Sequence, residues 1–359
     1  MSMLADGLAV VVGLGLVVTV LADMVNTLVT TQTSRGRFWL TILLYGNTWT
    51  MVRTIGRLLP KNSHRERLYA TFAPVSVLLL LVAWVVQQII GWALVWWGLG
   101  GVHGLDGFAD ALYYSGVVYF TLGFGEIVPG DVVPRLGALV EAFSGVLTTA
   151  LVIGYLPALY SAYSEREQKL LTLDDGTEER ITPTNLVLAR CPDGDPRALD
   201  HWFEGWEAWV AQVMETHTSF PMLILFRSQH PGQSWITALG LVTDAALHME
   251  LMEGAQGRPS YWLIRRSTRL LQMLSAHADL TGYRDGVGDS DDGQFRDLYD
   301  HLAQHGFPVR AYDEALAHTT ELRNNYVAEL EYLIDTLEAP RGFWGHVVGH
   351  RMNDEHAHD

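Results

Sequence analysis

The sequence predicts an all-α fold in two parts: a membrane helical bundle containing a re-entrant short helix and loop, followed by a soluble α-helical domain. Three observations predict it. Apolar residues make up 49% of 359 residues and mean hydropathy is +0.12, yet every long apolar run falls before Tyr163. Runs of that length belong in a bilayer. Charge divides at the same place: residues up to Tyr163 are close to neutral, so the net charge of −16 sits on the remainder. Beyond Tyr163 the apolar residues recur at helical spacing rather than in alternation.

These features exclude several classes. Nucleic-acid binding needs basic patches, which an acidic domain does not offer. Acidity here serves solubility first, because screening limits cation focusing to roughly 8 Å at physiological salt. Cys191 is the single cysteine, so an intrachain disulfide, a zinc thiolate cluster and a redox pair are excluded, and it reads as a structural thiol. The chain carries no nucleophile with its base, no zinc motif and no phosphate loop. It therefore does not read as an enzyme, and no cofactor is expected.

Residues 1–34 hold the first span, since Leu8 to Leu28 is a nearly continuous apolar run of about the 20 residues a bilayer requires. Nothing basic precedes Leu8, which argues against a cleaved signal peptide. Asp23 lies near the end of the run, within reach of the interface or of Arg35 and Arg37, and reads as a packing or topology residue. Residues 35–68 place Phe38, Ile42, Tyr45, Trp49, Val52 and Leu59 on one helical face, with Asn47, Arg53 and Arg57 on others. That pattern predicts an amphipathic helix lying on the membrane. Arg35, Arg37, Arg53, Arg57, Lys61, Arg65 and Arg67 assign this segment to the cytoplasm, which puts the N-terminus outside.

Residues 69–163 begin with a second span, Ala73 to Trp97. Val102 to Asp110 carries Asp106 and Asp110 without a basic residue, as an external loop would. Phe108 to Phe120 is too short to cross, Thr121 to Gly130 is rich in glycine, and Leu136 to Tyr163 is again long enough. Irregular backbone at membrane depth is tolerated only where it is buried in protein or lines a watery cavity. Thr121, Leu122, Gly123, Phe124 and Gly125 suit a pathway in which backbone oxygens replace the hydration shell of a cation. Gly123 and Gly125 open backbone angles closed to residues with a Cβ, and Thr121 adds a hydroxyl.

The run Ala111-Leu-Tyr-Tyr-Ser-Gly-Val-Val-Tyr-Phe-Thr-Leu-Gly-Phe-Gly-Glu-Ile-Val-Pro129 resembles the pore helix and selectivity filter of potassium channels. Against the usual Thr-Val-Gly-Tyr-Gly-Asp, Leu122 stands for valine, Phe124 for tyrosine and Glu126 for aspartate. Phe120 departs further, since many members carry another threonine there. The resemblance implies that Tyr113 and Glu126 brace the filter from behind. Arg135-Leu-Gly137 and Glu141-Ala-Phe-Ser-Gly145 resemble the start of the family's pore-lining helix, with Gly145 at a gating bend. Gly154 and Pro157 form a second candidate bend, because proline removes a backbone hydrogen bond. Tight packing is the rival account of these glycines. One filter string per chain implies a homotetramer, and no arginine-rich span precedes it to sense voltage.

Residues 164–197 read as a linker with a short strand at Asn185 to Ala189, and residues 198–359 as a cytoplasmic helical domain. Its apolar stripes are Trp202, Trp206, Trp209 and Val213, then Trp235 to Met252, then Tyr261 to Leu274. From Tyr312 to Leu337 the spacing approaches a heptad, but Arg323 interrupts the seam and a core helix is the better reading of the two. Phe226-Arg-Ser-Gln229 and Gln233-Ser-Trp-Ile-Thr-Ala-Leu239 are similar to helical tails appended to some bacterial pore-loop proteins, a likeness that implies no defined ligand; a regulator of unknown identity is expected as the partner of this domain. Twelve of the fourteen histidines fall in this half and read as surface residues, with His346, His350, His356 and His358 in a terminal tail. Asp285 to Asp292 fails as a calcium loop, because Gly288 and Ser290 stand where carboxylates are required.

The expected protein is a multi-pass subunit of the cell membrane, in contact with lipid and with copies of itself. It conducts K+ passively as the permeant ion. A poorly selective cation channel and a non-conducting sensor or scaffold are the alternatives.

Overall fold

The computed structural model describes residues 3–28, 39–59, 63–173, 181–191, 195–228, 233–254, 257–276, 278–286 and 292–339. The chain forms two compact units, residues 1–162 with 218–220, and residues 163–217 with the chain from Pro221 onward.

In the first unit, α1 (Met3–Leu28), α3 (Ser63–Leu99) and α5 (Val132–Leu170) are long and apolar enough to cross a membrane. Lipid supplies no hydrophobic drive between such helices, so close approach and polar contacts must hold them. Both are visible between α1 and α3. A Cβ on Gly13 would lie 2.5 Å from the Gly91 carbonyl oxygen, and one on Gly98 would overlap the Asp6 carbonyl. Only glycine lets the two backbones meet so closely. Asp23 is buried and accepts a hydrogen bond of 2.8 Å from Trp84 Nε1, while Gln88 Nε2 donates to the Val17 carbonyl at 3.3 Å. Asp23 Oδ2 thus finds a partner within the helix pair, and Arg35 and Arg37, the partners expected from the sequence, lie outside the described residues. Leu8, Val11 and Val18 of α1 and Leu78, Leu79 and Val82 of α3 face outward, as a lipid-facing surface requires. The amphipathic helix is α2 (Trp39–Leu58), whose Trp49 ring packs on Tyr69 and Phe72 of α3 at 5.7 and 5.1 Å.

The second unit reverses this arrangement. Its centre is α8 (Trp235–Met249), every residue of which is buried. Phe203, Trp206, Trp209, Val210 and Val213 of α7 (Asp200–Ser219) and Leu263, Ile264, Leu270 and Leu271 of α9 (Pro259–Ser275) belong to the same core. The residues read as a linker contribute Leu170, Leu173, Leu186, Val187 and Cys191 to it. The strand expected at Asn185 to Ala189 is instead the helix α6 (Pro183–Arg190). Thr182 caps that helix by accepting from the Asn185 amide at 3.1 Å, and Pro183 supplies a helical φ at its first position. The Cys191 thiol is buried and donates to the Asp195 carbonyl at 2.8 Å.

After α10 (Thr281–Gly286) and α11 (Asp292–Gln304), the heptad-like run divides into α12 (Tyr312–Asn324) and α13 (Val327–Thr336). The break falls where Tyr326 turns into the core and its phenol donates to Asp244. His217 and His248 are buried rather than exposed, being fixed on the inner faces of α7 and α8. Residues 287–291 of the acidic loop and the tail with its four histidines lie outside the described residues.

Candidate pore site

The short apolar run is α4 (Phe108–Tyr119). Its first turn is closed by Asp110, which accepts from the amides of Asp106 and Gly107, each at 3.1 Å. Its last turn is wound tightly: Phe120 N donates to Gly116 O at 3.0 Å, Thr121 N to Val118 O at 2.9 Å and Leu122 N to Val117 O at 2.8 Å. The chain then leaves the helix with φ of +55° at Thr121, +62° at Gly123 and +94° at Gly125. Leu122 and Phe124 between them keep negative φ. Such alternation undoes the side-to-side flip of a strand, so successive carbonyls can face one direction. Thr121 adopts this geometry at a cost, because a β-branched residue in the left-handed region is strained by about 1–3 kcal/mol.

The front of the loop is open. A Cβ at Gly123 or Gly125 would meet nothing within 4 Å, and the side chains of Leu122 and Phe124 are 56% and 65% exposed. The back is held in two places. At the outer end the Tyr113 phenol donates to the Glu126 carboxylate. Deeper in, the fully buried Glu141 of α5 accepts from Trp96 Nε1 of α3 at 2.7 Å through Oε2. Its Oε1 lies 2.5 Å from Ser115 Oγ of α4. Ser115 Oγ is also 2.9 Å from the Ile89 carbonyl, so one hydroxyl proton is shared between two neighbours. A second bridge joins α4 to α5, with Tyr119 Oη donating to Thr148 Oγ1 at 2.9 Å and Thr148 donating to the Ser144 carbonyl at 2.8 Å.

Past the loop, β2 (Val128–Pro129) pairs antiparallel with β1 (Val102–His103), and Gly130 N donates to Gly101 O at 2.9 Å. This ribbon ties the exit of the loop to the segment that precedes α4. Of the bend candidates, Gly145 sits where a Cβ would overlap the Tyr119 carbonyl, so it permits the contact of α5 with α4. Gly154 faces open space, and Pro157 lies inside α5, which continues as one helix on both sides of it. Leu136, Leu139, Val140, Phe143, Val146 and Ile153 leave α5 with an exposed apolar face.

The sequence reading brought together Tyr113 and Glu126 but treated Glu141 only as part of a string, and it missed Trp96 and Ser115. The signal was present, because a lone carboxylate in an apolar span needs partners.

The short helix, the loop of alternating φ and most of the span that follows it lie within residues 75–161, which match a family described as ion channel. Part of the chain is also similar to the Uncharacterized membrane protein YdjJ of Bacillus subtilis (strain 168), with 25% identity over 224 residues. That match covers 58% of this chain and 63% of the relative, less than two thirds of its length. No solved structure matches the chain.

Proposed function

We propose that this protein is a potassium-selective channel subunit through which dehydrated K+ passes between oxygen sites formed by Thr121 to Gly125. The observation that carries this reading is the alternation of φ sign at Thr121, Gly123 and Gly125 in a loop that follows a helix too short to cross. A single chain presents that loop on one side only, so enclosing an ion takes several copies, and four is the number the resemblance implies. The exposed apolar face of α5 is then the surface available to neighbouring copies and lipid. Glu126, held by Tyr113, fixes the outer end of the loop. In this reading the bends of α5 lie at Gly154 and Pro157, while Gly145 combines packing with any bend it allows. The basic segment between α1 and α3 assigns the second unit to the cytoplasm.

The test is the reversal potential of the purified protein in planar bilayers with potassium on one side and sodium on the other. A value near the potassium equilibrium potential supports the proposal. A value near zero with real current assigns a poorly selective cation pore, with Phe120, Leu122 or Phe124 as the departure responsible. No current from intact tetramers assigns a non-conducting sensor.

A further inference from the structure

The second unit contains a cleft of about 730 Å³ whose lining runs against the charge of the domain around it. One wall is the outer face of α9, where Trp262, Arg265, Arg266 and Arg269 project; Met214 of α7 and Leu322 of α12 close the other sides. The volume falls within the roughly 300–1,000 Å³ typical of small-molecule sites. Helix α9 carries three arginines and no acidic residue, in a chain whose net charge is −16. Such a local reversal is a focus for anions.

The three guanidinium groups are not consumed by the fold. Arg265 donates one N–H to Tyr261 Oη at 2.9 Å, and Arg266 donates one to Glu207 at 2.8 Å. Each group has five N–H donors, so both retain free faces. Arg269 has no hydrogen bond or ion pair among the described residues. Beside them Trp262 is 50% exposed, and Leu171, Trp262 and Met273 are the large hydrophobic side chains left exposed among the described residues of this unit. Two of those three lie on α9. An exposed indole next to forked guanidinium groups offers a planar stacking surface beside a phosphate clamp.

We infer that this cleft binds a soluble organic phosphate bearing a planar ring, of the purine nucleotide class, with Arg265, Arg266 and Arg269 on the phosphates and Trp262 on the ring. The inference does not depend on what the pore conducts. Arginine clusters can also meet phosphate on a lipid headgroup, so the test separates the two sources. The full chain in detergent is titrated calorimetrically with ATP and with inorganic phosphate, and is floated with vesicles of phosphatidylglycerol. ATP is expected to bind, and more tightly than inorganic phosphate. An R265Q/R269Q variant is expected to weaken ATP binding about tenfold or more. Trp262→Ala should weaken ATP binding while leaving inorganic phosphate unchanged, a split that general unfolding would not produce. Absence of ATP binding overturns the inference, as does ATP binding undiminished in the arginine variant. Binding confined to the vesicles and lost in that variant also overturns it, moving the site to a lipid surface.

Discussion

The two units solve the same problem, packing helices, under opposite rules. In the membrane unit the outside is apolar, and the inside is held by specific polar contacts: Asp23 with Trp84, Glu141 with Trp96 and Ser115, and Tyr119 with Thr148. In the second unit α8 is buried on every side among apolar residues, and most charge faces out. Where water surrounds the protein, burial of area supplies the drive and the exact partner of each residue matters less. Where lipid surrounds it, burial gains little and a few hydrogen bonds and glycine contacts set the register.

The largest expected effect would break the open loop that the membrane unit supports. Gly123→Ala or Gly125→Ala places a Cβ on a residue at φ of +62° or +94°, and on the proposed function K+ flux into vesicles should fall to background while the elution volume on a sizing column stays that of the parent protein. Unaltered flux would remove these glycines from the pathway. Next in size, Leu239→Ala in the middle of α8 should cost the second unit about 2–5 kcal/mol. Hydrogen exchange on the full chain should show faster exchange across α8, with α3 and residues 132–162 of α5 unaffected.

Acidification sharpens the same contrast. His217 and His248 are each pushed down to about 3, chiefly by burial, with the Arg166 charge adding to the effect at His217. An unfolded histidine titrates near 6.5, so below that pH the unfolded chain takes up protons that the folded unit refuses. Stability present above pH 6.5 is lost as pH falls toward 3. The two residues together should cost up to about 4 kcal/mol between pH 7 and pH 5. Burial raises Glu250, which works in the opposite sense and offsets part of this loss as pH falls. Protection factors in α8, taken relative to the intrinsic exchange rate at each pH, should therefore fall on acidification, and His248→Gln should flatten the slope.

The smaller effects fall back in the membrane unit. Glu141→Ala leaves Trp96 Nε1 without its acceptor in a dry interior and should cost about 1–3 kcal/mol in thermal unfolding. Glu141→Gln keeps an acceptor for the indole and should recover most of that loss. Asp23→Asn retains an oxygen for Trp84 and should change the melting behaviour by less than about 1 kcal/mol; a loss as large as that of Glu141→Ala would mean that its charge, rather than its acceptor, holds α1 to α3.

Much of this architecture was legible because span length and glycine spacing are local properties. Leu8 to Leu28, Ala73 to Trp97 and the helix-loop-helix around Thr121 all emerge from runs that one chain segment displays. The back of the loop was not legible, since the meeting of Glu141 with Trp96 and Ser115 depends on the register of three helices, which no single helix encodes. Leu186-Val-Leu188 misled through shortness, because an apolar run of three suits strand or helix alike. The Thr182-Pro183 start signal was the better guide. His217 stands four residues after Val213 on the stripe of α7, so its burial was readable from helical spacing, and only the habit of placing histidine at the surface concealed it.

The small ribbon of Val102–His103 with Val128–Pro129 also counts the crossings of the membrane. Two strands that share hydrogen bonds must lie on the same face of the bilayer, so everything between them enters and returns and contributes an even number of passages. The three helices long and apolar enough to cross among the described residues, α1, α3 and α5, all lie outside that stretch, so the short helix and its loop add nothing to their number.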